Sequence, residues 1–149
     1  MRECRFRRRL LGCAPTSANV EIWYLDTSAL AKLVRPEPET QALRKWLERK
    51  LWIVSDLHRT ELRRAAWRAG GRAPARAERL LAECDVIRID ADTFDKAGRV
   101  EPSTLRALDA LHLAAATTLG PDLSGMVAYD ERLLRAASDA GLRTASPGA

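Results

Sequence analysis

Short apolar runs of strand length alternate along the chain with longer stretches in which apolar residues recur every three or four positions. Residues 22–25, Ile-Trp-Tyr-Leu, form an unbroken β-branched and aromatic run, the pattern of a strand buried on both faces. Residues 51–54 and 126–129 repeat it, 86–89 alternate, and 142–145 fit a last edge strand. Between these runs the spacing predicts helices. Residues 28–34 are stopped by Pro36, and 37–50 carry Leu43, Trp46 and Leu47 on one face. Residues 56–69 follow Ser55 as N-cap and end at Gly70-Gly71; a further helix spans 74–84. Residues 91–100 are followed by a long helix capped at Ser103 or Thr104 and running to Leu119, then by 131–140, closed by Gly141. Strands alternating with helices predict an α/β fold around a mostly parallel sheet of four to five strands, with an extra helical hairpin between the second and third. In such sheets the functional crevice lies at the carboxyl ends of the strands, where Asp26 and Asp130 both fall.

A chain of 149 residues holds one ordinary domain, and no apolar run approaches the roughly 18 residues that span a bilayer. The formal charge of +5 hints at a polyanionic partner, but its distribution says more than its total. Residues 1–20 carry Arg2, Arg5, Arg7, Arg8 and Arg9 against Glu3, and a basic, disordered N-terminal extension or an upstream mis-assigned start is expected there. Residues 59–79 hold seven arginines against Glu61 and Glu78, so everything outside these two segments is net acidic. That division suits a protein that holds phosphates near a carboxylate-bound metal; a solvated helix face explains the basic cluster equally. Cys4, Cys13 and Cys84 have no zinc-type spacing, and a reducing, cytoplasmic setting is expected.

Four acids stand out by their neighbours. Asp26 leaves a buried strand and meets the start of a helix, where Thr27 and Ser28 can orient it and unpaired N–H groups favour negative charge; a plain N-cap accounts for it as well. Glu61 interrupts a partly apolar stripe and calls for a partner, with Arg64 or His58 as the simple choice. Asp109 lies in a helix apolar on most of its circumference, where an acid is rare unless paired or metal-bound. Asp130 again follows a strand and opens a helix. Gathered in one crevice, four carboxylates would repel one another unless a divalent cation neutralised them, and oxygen-only ligands favour Mg²⁺ or Mn²⁺ over zinc. Such an ion suits attack on a phosphodiester.

In order, Tyr-Leu-Asp26-Thr-Ser-Ala-Leu, Thr-Glu61-Leu, Leu-Arg-Ala-Leu-Asp109-Ala-Leu-His-Leu-Ala-Ala-Ala and Ala-Tyr-Asp130-Glu-Arg-Leu resemble the acidic motifs of PIN-domain ribonucleases, most closely the VapC-type toxins of bacterial toxin–antitoxin pairs. The resemblance implies a three-layer α/β/α PIN-like domain over residues 21–146. It implies a Mg²⁺- or Mn²⁺-dependent endoribonuclease that cuts tRNA or ribosomal RNA and arrests translation. Asp26 and Asp109 would match the principal metal ligands, Glu61 and Asp130 ligands acting directly or through water, and Thr27 or Ser28 would support the first carboxylate. A homodimer and a small cognate VapB-like antitoxin lying over the active site are implied as partners. Arg63, Arg64 and Arg68, with Trp67 among them, could serve RNA phosphates and stacking. His112, three residues after Asp109, reads as a packing or hydrogen-bonding neighbour rather than a proton shuttle, and His58 has less claim still.

Two other readings stay open. A non-catalytic RNA- or antitoxin-binding module results if the crevice fails to assemble. An aspartate-nucleophile phosphatase commonly wants a second acid two residues after the first, where this chain has Ser28. Receiver-type domains expect an adjacent acidic pair that is missing, and neither GxGxxG nor GxxxxGK[ST] occurs.

Overall fold

The computed structural model describes residues 21–149; the extension expected over 1–20 lies outside them. Five strands form one parallel sheet in the order β3-β2-β1-β4-β5, comprising β1 (Ile22–Leu25), β2 (Leu51–Ser55), β3 (Asp85–Ile87), β4 (Gly125–Val127) and β5 (Thr144–Ala145). β1 is central and fully buried, as its unbroken apolar run requires. Its residues alternate between two cores. Trp23 and Leu25 face one side, packing with α1 (Thr27–Val34), α2 (Thr40–Leu47), α3 (His58–Ala69) and α4 (Ala73–Glu83). Ile22 and Tyr24 face the other, packing with α6 (Ala107–Thr117) and α7 (Glu131–Asp139). α5 (Ala91–Ala97) packs on α6 through Ala97, Ala110 and Ala114. The three α/β/α layers are those the resemblance implies.

The expected helical hairpin between the second and third strands is α3–α4, turned by Gly70 and Gly71, whose φ values of 67° and 56° suit residues without a Cβ. Three helices start later than the sequence pattern predicts, α3 by two residues, with Leu57 and not Ser55 before its first turn. α2 begins at Thr40, whose hydroxyl accepts from Glu37 N at 2.8 Å and donates to Lys32 O at 2.9 Å, tying the preceding turn to α1. α6 begins at Ala107, not at Ser103 or Thr104. The Glu101 carboxylate takes the Ser103 N–H at 3.0 Å, Leu105 N closes a turn on Pro102 O, and Arg106 is extended at φ −65°, ψ 148°. Asp109 therefore stands in the first turn of α6 and not inside a long helix. The predicted third, fourth and fifth strands are each trimmed, leaving short edges at both sides of the sheet.

Candidate active site

Because every strand is parallel, the carboxyl ends of β1 and β4 lie side by side. The Leu25–Val127 register is extended one step by Asp26 N, which donates to Val127 O at 2.9 Å. Asp26 is the N-cap of α1, and its Oδ2 accepts from Ser28 N at 2.9 Å and from Ser28 Oγ at 2.7 Å. The same Ser28 hydroxyl accepts from Tyr129 N at 2.9 Å, so one oxygen joins the β1–α1 corner to the segment after β4. Of the two hydroxyl residues proposed to support Asp26, Ser28 makes the contact. Thr27 turns instead to α3, donating to Glu61 Oε2 at 2.5 Å.

Glu61 sits in the first turn of α3, and its Oε2 also lies 2.6 Å from His112 Nε2. Its partners are thus Thr27 and His112, neither Arg64 nor His58. A carboxylate only accepts, so His112 Nε2 carries a proton. Burial opposes charge on both groups. For Glu61, the His112 hydrogen bond and charge and the Thr27 hydroxyl outweigh burial and hold its carboxyl below the usual value. For His112, the Glu61 bond and the fields of Asp26, Glu61 and Asp109 outweigh it and raise the imidazole. Imidazolium and carboxylate therefore form a pair behind the site. Nδ1 of His112 is 2.7 Å from the Tyr24 hydroxyl, which donates to Ser55 Oγ at 2.9 Å. With both imidazole nitrogens protonated, Nε2 donates to Glu61, while the two bonds on the other side run in one direction, from His112 Nδ1 to Tyr24 and from Tyr24 to Ser55. Tyr24, Ser55 and His112 are buried together with His58, whose ring meets that of His112 edge-on at 4.8 Å.

Asp109 is half-buried and makes no hydrogen bond among the described residues. Burial, then the charges of Asp26 and Asp130, raise its carboxyl pKa against the smaller pull of His112 and Arg106. Asp130 is the N-cap of α7, its Oδ1 accepting from Arg132 N at 2.9 Å and Leu133 N at 3.2 Å. The fold thus brings the four predicted acids to one edge of the sheet. Asp26 and Glu61 converge on His112 Nε2, at 3.6 and 2.6 Å, and Asp109 feels both Asp26 and Asp130.

The scaffold hydrogen-bonds one oxygen of Asp26, Glu61 and Asp130 and leaves the other without a hydrogen bond, Asp26 Oδ1 lying 3.6 Å from His112 Nε2, while neither oxygen of Asp109 is hydrogen-bonded. Among the described residues no three His, Cys, Asp or Glu side chains close around a metal by themselves. Mg²⁺ does not demand such a cage, since it retains several waters and takes one or two carboxylates. Asp26 Oδ1 and the Asp109 carboxylate fit that requirement, and the all-oxygen donors suit Mg²⁺ or Mn²⁺ better than zinc.

The basic cluster fares differently. Arg63 forms a two-pronged ion pair with Glu78 across the hairpin, at 2.6 and 2.8 Å. Arg64 is exposed, and Arg68 lines a separate cleft between α1 and α3 that contains none of the four acids. Trp67 is exposed. His112 is the hydrogen-bonding neighbour expected from its place one helical turn after Asp109, with Glu61 and Tyr24 as its partners. Tyr24 is signalled by period two, being two residues before Asp26 on one face of β1.

Comparison with known proteins places this site in context. Residues 23–139 match the PIN domain family. Ribonuclease VapC46 of Mycobacterium tuberculosis (strain ATCC 25618 / H37Rv) is 42% identical over 125 residues, covering 83% of this chain and 96% of that protein. Ribonuclease VapC47 of Mycobacterium tuberculosis (strain CDC 1551 / Oshkosh) is 42% identical over 134 residues, covering 85% and 97%. The crystal structure of Mycobacterium tuberculosis VapC20, a sarcin-ricin loop cleaving toxin, matches with a TM-score of 0.66 at 20% identity over 84% of this chain and 99% of that one.

Proposed function

The chain belongs to the PIN-domain family, among the VapC ribonucleases, and from that premise we propose that it acts as an endoribonuclease toxin whose cutting site is the edge formed by Asp26, Glu61, Asp109 and Asp130. The observation that carries this reading is the Asp109 carboxylate, bare of hydrogen bonds and pressed by Asp26 and Asp130. A site that only stabilised the fold would neutralise those charges internally.

Mg²⁺ or Mn²⁺ would be held by Asp26 and Asp109, with Asp130 and Glu61 reaching it directly or through water. When bound, the ion polarises a phosphodiester oxygen and favours formation of hydroxide from water. The protein's own contribution is placement. Ser28 and the Val127 carbonyl fix Asp26; Thr27 and His112 fix Glu61, leaving Oε1 to orient the attacking water. Its lowered pKa makes Glu61 a better orienting group than a base. His112, almost fully buried, holds its proton between Glu61 and Tyr24 and does not exchange it with substrate.

The RNA is placed in the tRNA and ribosomal RNA class, the setting in the cytoplasm, and the partners are a VapB-like antitoxin and a second copy of the chain. No helix among the described residues is long and apolar enough to cross a membrane.

The test is cleavage of purified tRNA and ribosomal RNA with Mg²⁺ or EDTA, by the unsubstituted chain and by Asp26→Asn. Losing a ligand worth several kcal/mol should lower cleavage by roughly 100-fold or more. Full activity in Asp26→Asn, or cleavage indifferent to EDTA, would sink the assignment.

A further inference from the structure

Beside Asp109 the surface opens into a cleft of about 240 Å³ between the 102–106 turn, the start of α6 and one face of α7. Three guanidinium groups line it: Arg106, immediately before α6, and Arg132 and Arg135, which share a face of α7 at i,i+3 spacing. All three are exposed, and none forms a hydrogen bond or ion pair through its side chain among the described residues. This sets them apart from Arg63 and Arg143, which are committed to Glu78 and Glu21. The cleft also has apolar lining from Pro102 and Leu105. Two acids border it, Asp139 and Asp109, and the second is the residue assigned above to the cation.

Unpaired arginines from two elements, an apolar wall and an open mouth at a catalytic carboxylate match the parts of a nucleotide. A guanidinium fork meets phosphate oxygens two at a time, and its plane also stacks on a base. Pro102 and Leu105 give ribose or base an apolar surface, and the volume is of the order of one nucleotide and not of a duplex.

We propose that this cleft is a nucleotide subsite, which holds the RNA residue adjoining the cleaved bond with its phosphate on Arg132 and Arg135 and its ribose or base against Pro102 and Leu105. The proposal rests on the ribonuclease reading and moves the main RNA contact from the α3 arginines to α7. The gap between Asp130, which caps α7, and Arg132 and Arg135 along the same helix keeps the subsite in register with the acids.

The experiment uses the full chain carrying Asp26→Asn, so that RNA is bound and not cut, and a short mixed-sequence single-stranded RNA labelled with fluorescein. Anisotropy is followed over a series of salt concentrations. Changing both Arg132 and Arg135 to Ala should weaken binding about 10-fold or more and lower the salt slope by about one per arginine. Unchanged affinity and slope would overturn the proposal, as would an equal loss when Arg63 and Arg64 are changed instead. Should the double variant fail to fold, judged by circular dichroism, the unsubstituted side chains decide. Adenosine 5′-monophosphate should shift the Arg132 and Arg135 side-chain NMR signals at concentrations where inorganic phosphate does not, and equal response to both would overturn the nucleotide assignment. The two readings separate cleanly. Asp26-dependent cleavage with arginine-independent RNA binding defeats the subsite alone, whereas arginine-dependent nucleotide binding without any cleavage defeats the ribonuclease reading and leaves the cleft standing.

Discussion

His58 is fully buried behind the acids, with Nδ1 3.0 Å from Ser55 O and 3.2 Å from Ser55 N, and no partner for Nε2 among the described residues. Burial, followed by the neighbouring His112 charge, pushes its pKa down from 6.5 to about 4. Because the folded state resists a proton the unfolded chain accepts, its contribution to stability is complete above pH 6.5 and is lost as pH falls toward 4. The loss is on the order of 3 kcal/mol. His58→Gln cannot take up that proton, so urea unfolding at about pH 7 and about pH 4 should show a smaller gap than in the unsubstituted chain. An unchanged gap would remove His58 as the source. Tyr24→Phe tests the neighbouring chain of hydrogen bonds. It deletes the hydroxyl that holds His112 and should lower kcat for RNA cleavage about 10-fold with little effect on KM, as loss of an orienting partner does. The four acids were legible because each interrupts an apolar context or ends a strand. The partners of Glu61 were not: Thr27 and His112 lie 34 and 51 positions away, and only the packing of α1, α3 and α6 brings them together.

At the scale of elements, β4 is limited by one residue. A Cβ on Gly125 would run into the Arg143 carbonyl of the adjoining chain and would lie 2.5 Å from Trp23 Cζ3. The ring could shift, but the carbonyl is fixed by its bond from Met126 N at 2.8 Å. Gly125→Ala should therefore cost about 1–3 kcal/mol, measured as a lower urea midpoint with unchanged slope. Element order and type followed the apolar periodicity throughout, because strands buried on both faces and one-sided helices leave distinct patterns. The starts of α2 and α6 did not, since Thr40 and Glu101 set them through side-chain bonds to backbone groups of neighbouring turns. For α6 the difference bears on function, because the later start puts Asp109 beside the unpaired N–H groups of a first turn.

Over the whole molecule, one carboxylate of the site, Asp109, acts against the fold that presents it. The Asp109 pKa is raised by burial and by Asp26 and Asp130, so its effect is least unfavourable at low pH and grows as pH rises through its folded value. Asp109→Asn should then melt at a higher temperature than the unsubstituted chain near neutral pH while losing RNA cleavage. Millimolar Mg²⁺ should raise the melting temperature of the unsubstituted chain and have less effect on Asp109→Asn, as linkage requires of a ligand bound by the folded state. Equal response of both proteins to Mg²⁺ would exclude Asp109 as a ligand. The central position of β1 also has a consequence for how the protein is made. Its first hydrogen bond to the β4 side, Ile22 N to Ser124 Oγ, spans 102 positions, and Asp109 and Asp130 lie far along the chain from Asp26. A polypeptide growing from its N-terminus has Asp26 and Glu61 early but cannot pair β1 with β4 until residues beyond 125 have been synthesised. Until that moment the nascent chain carries three of its four acids and no cutting edge, and the ribosome making it faces no assembled nuclease from its own unfinished product.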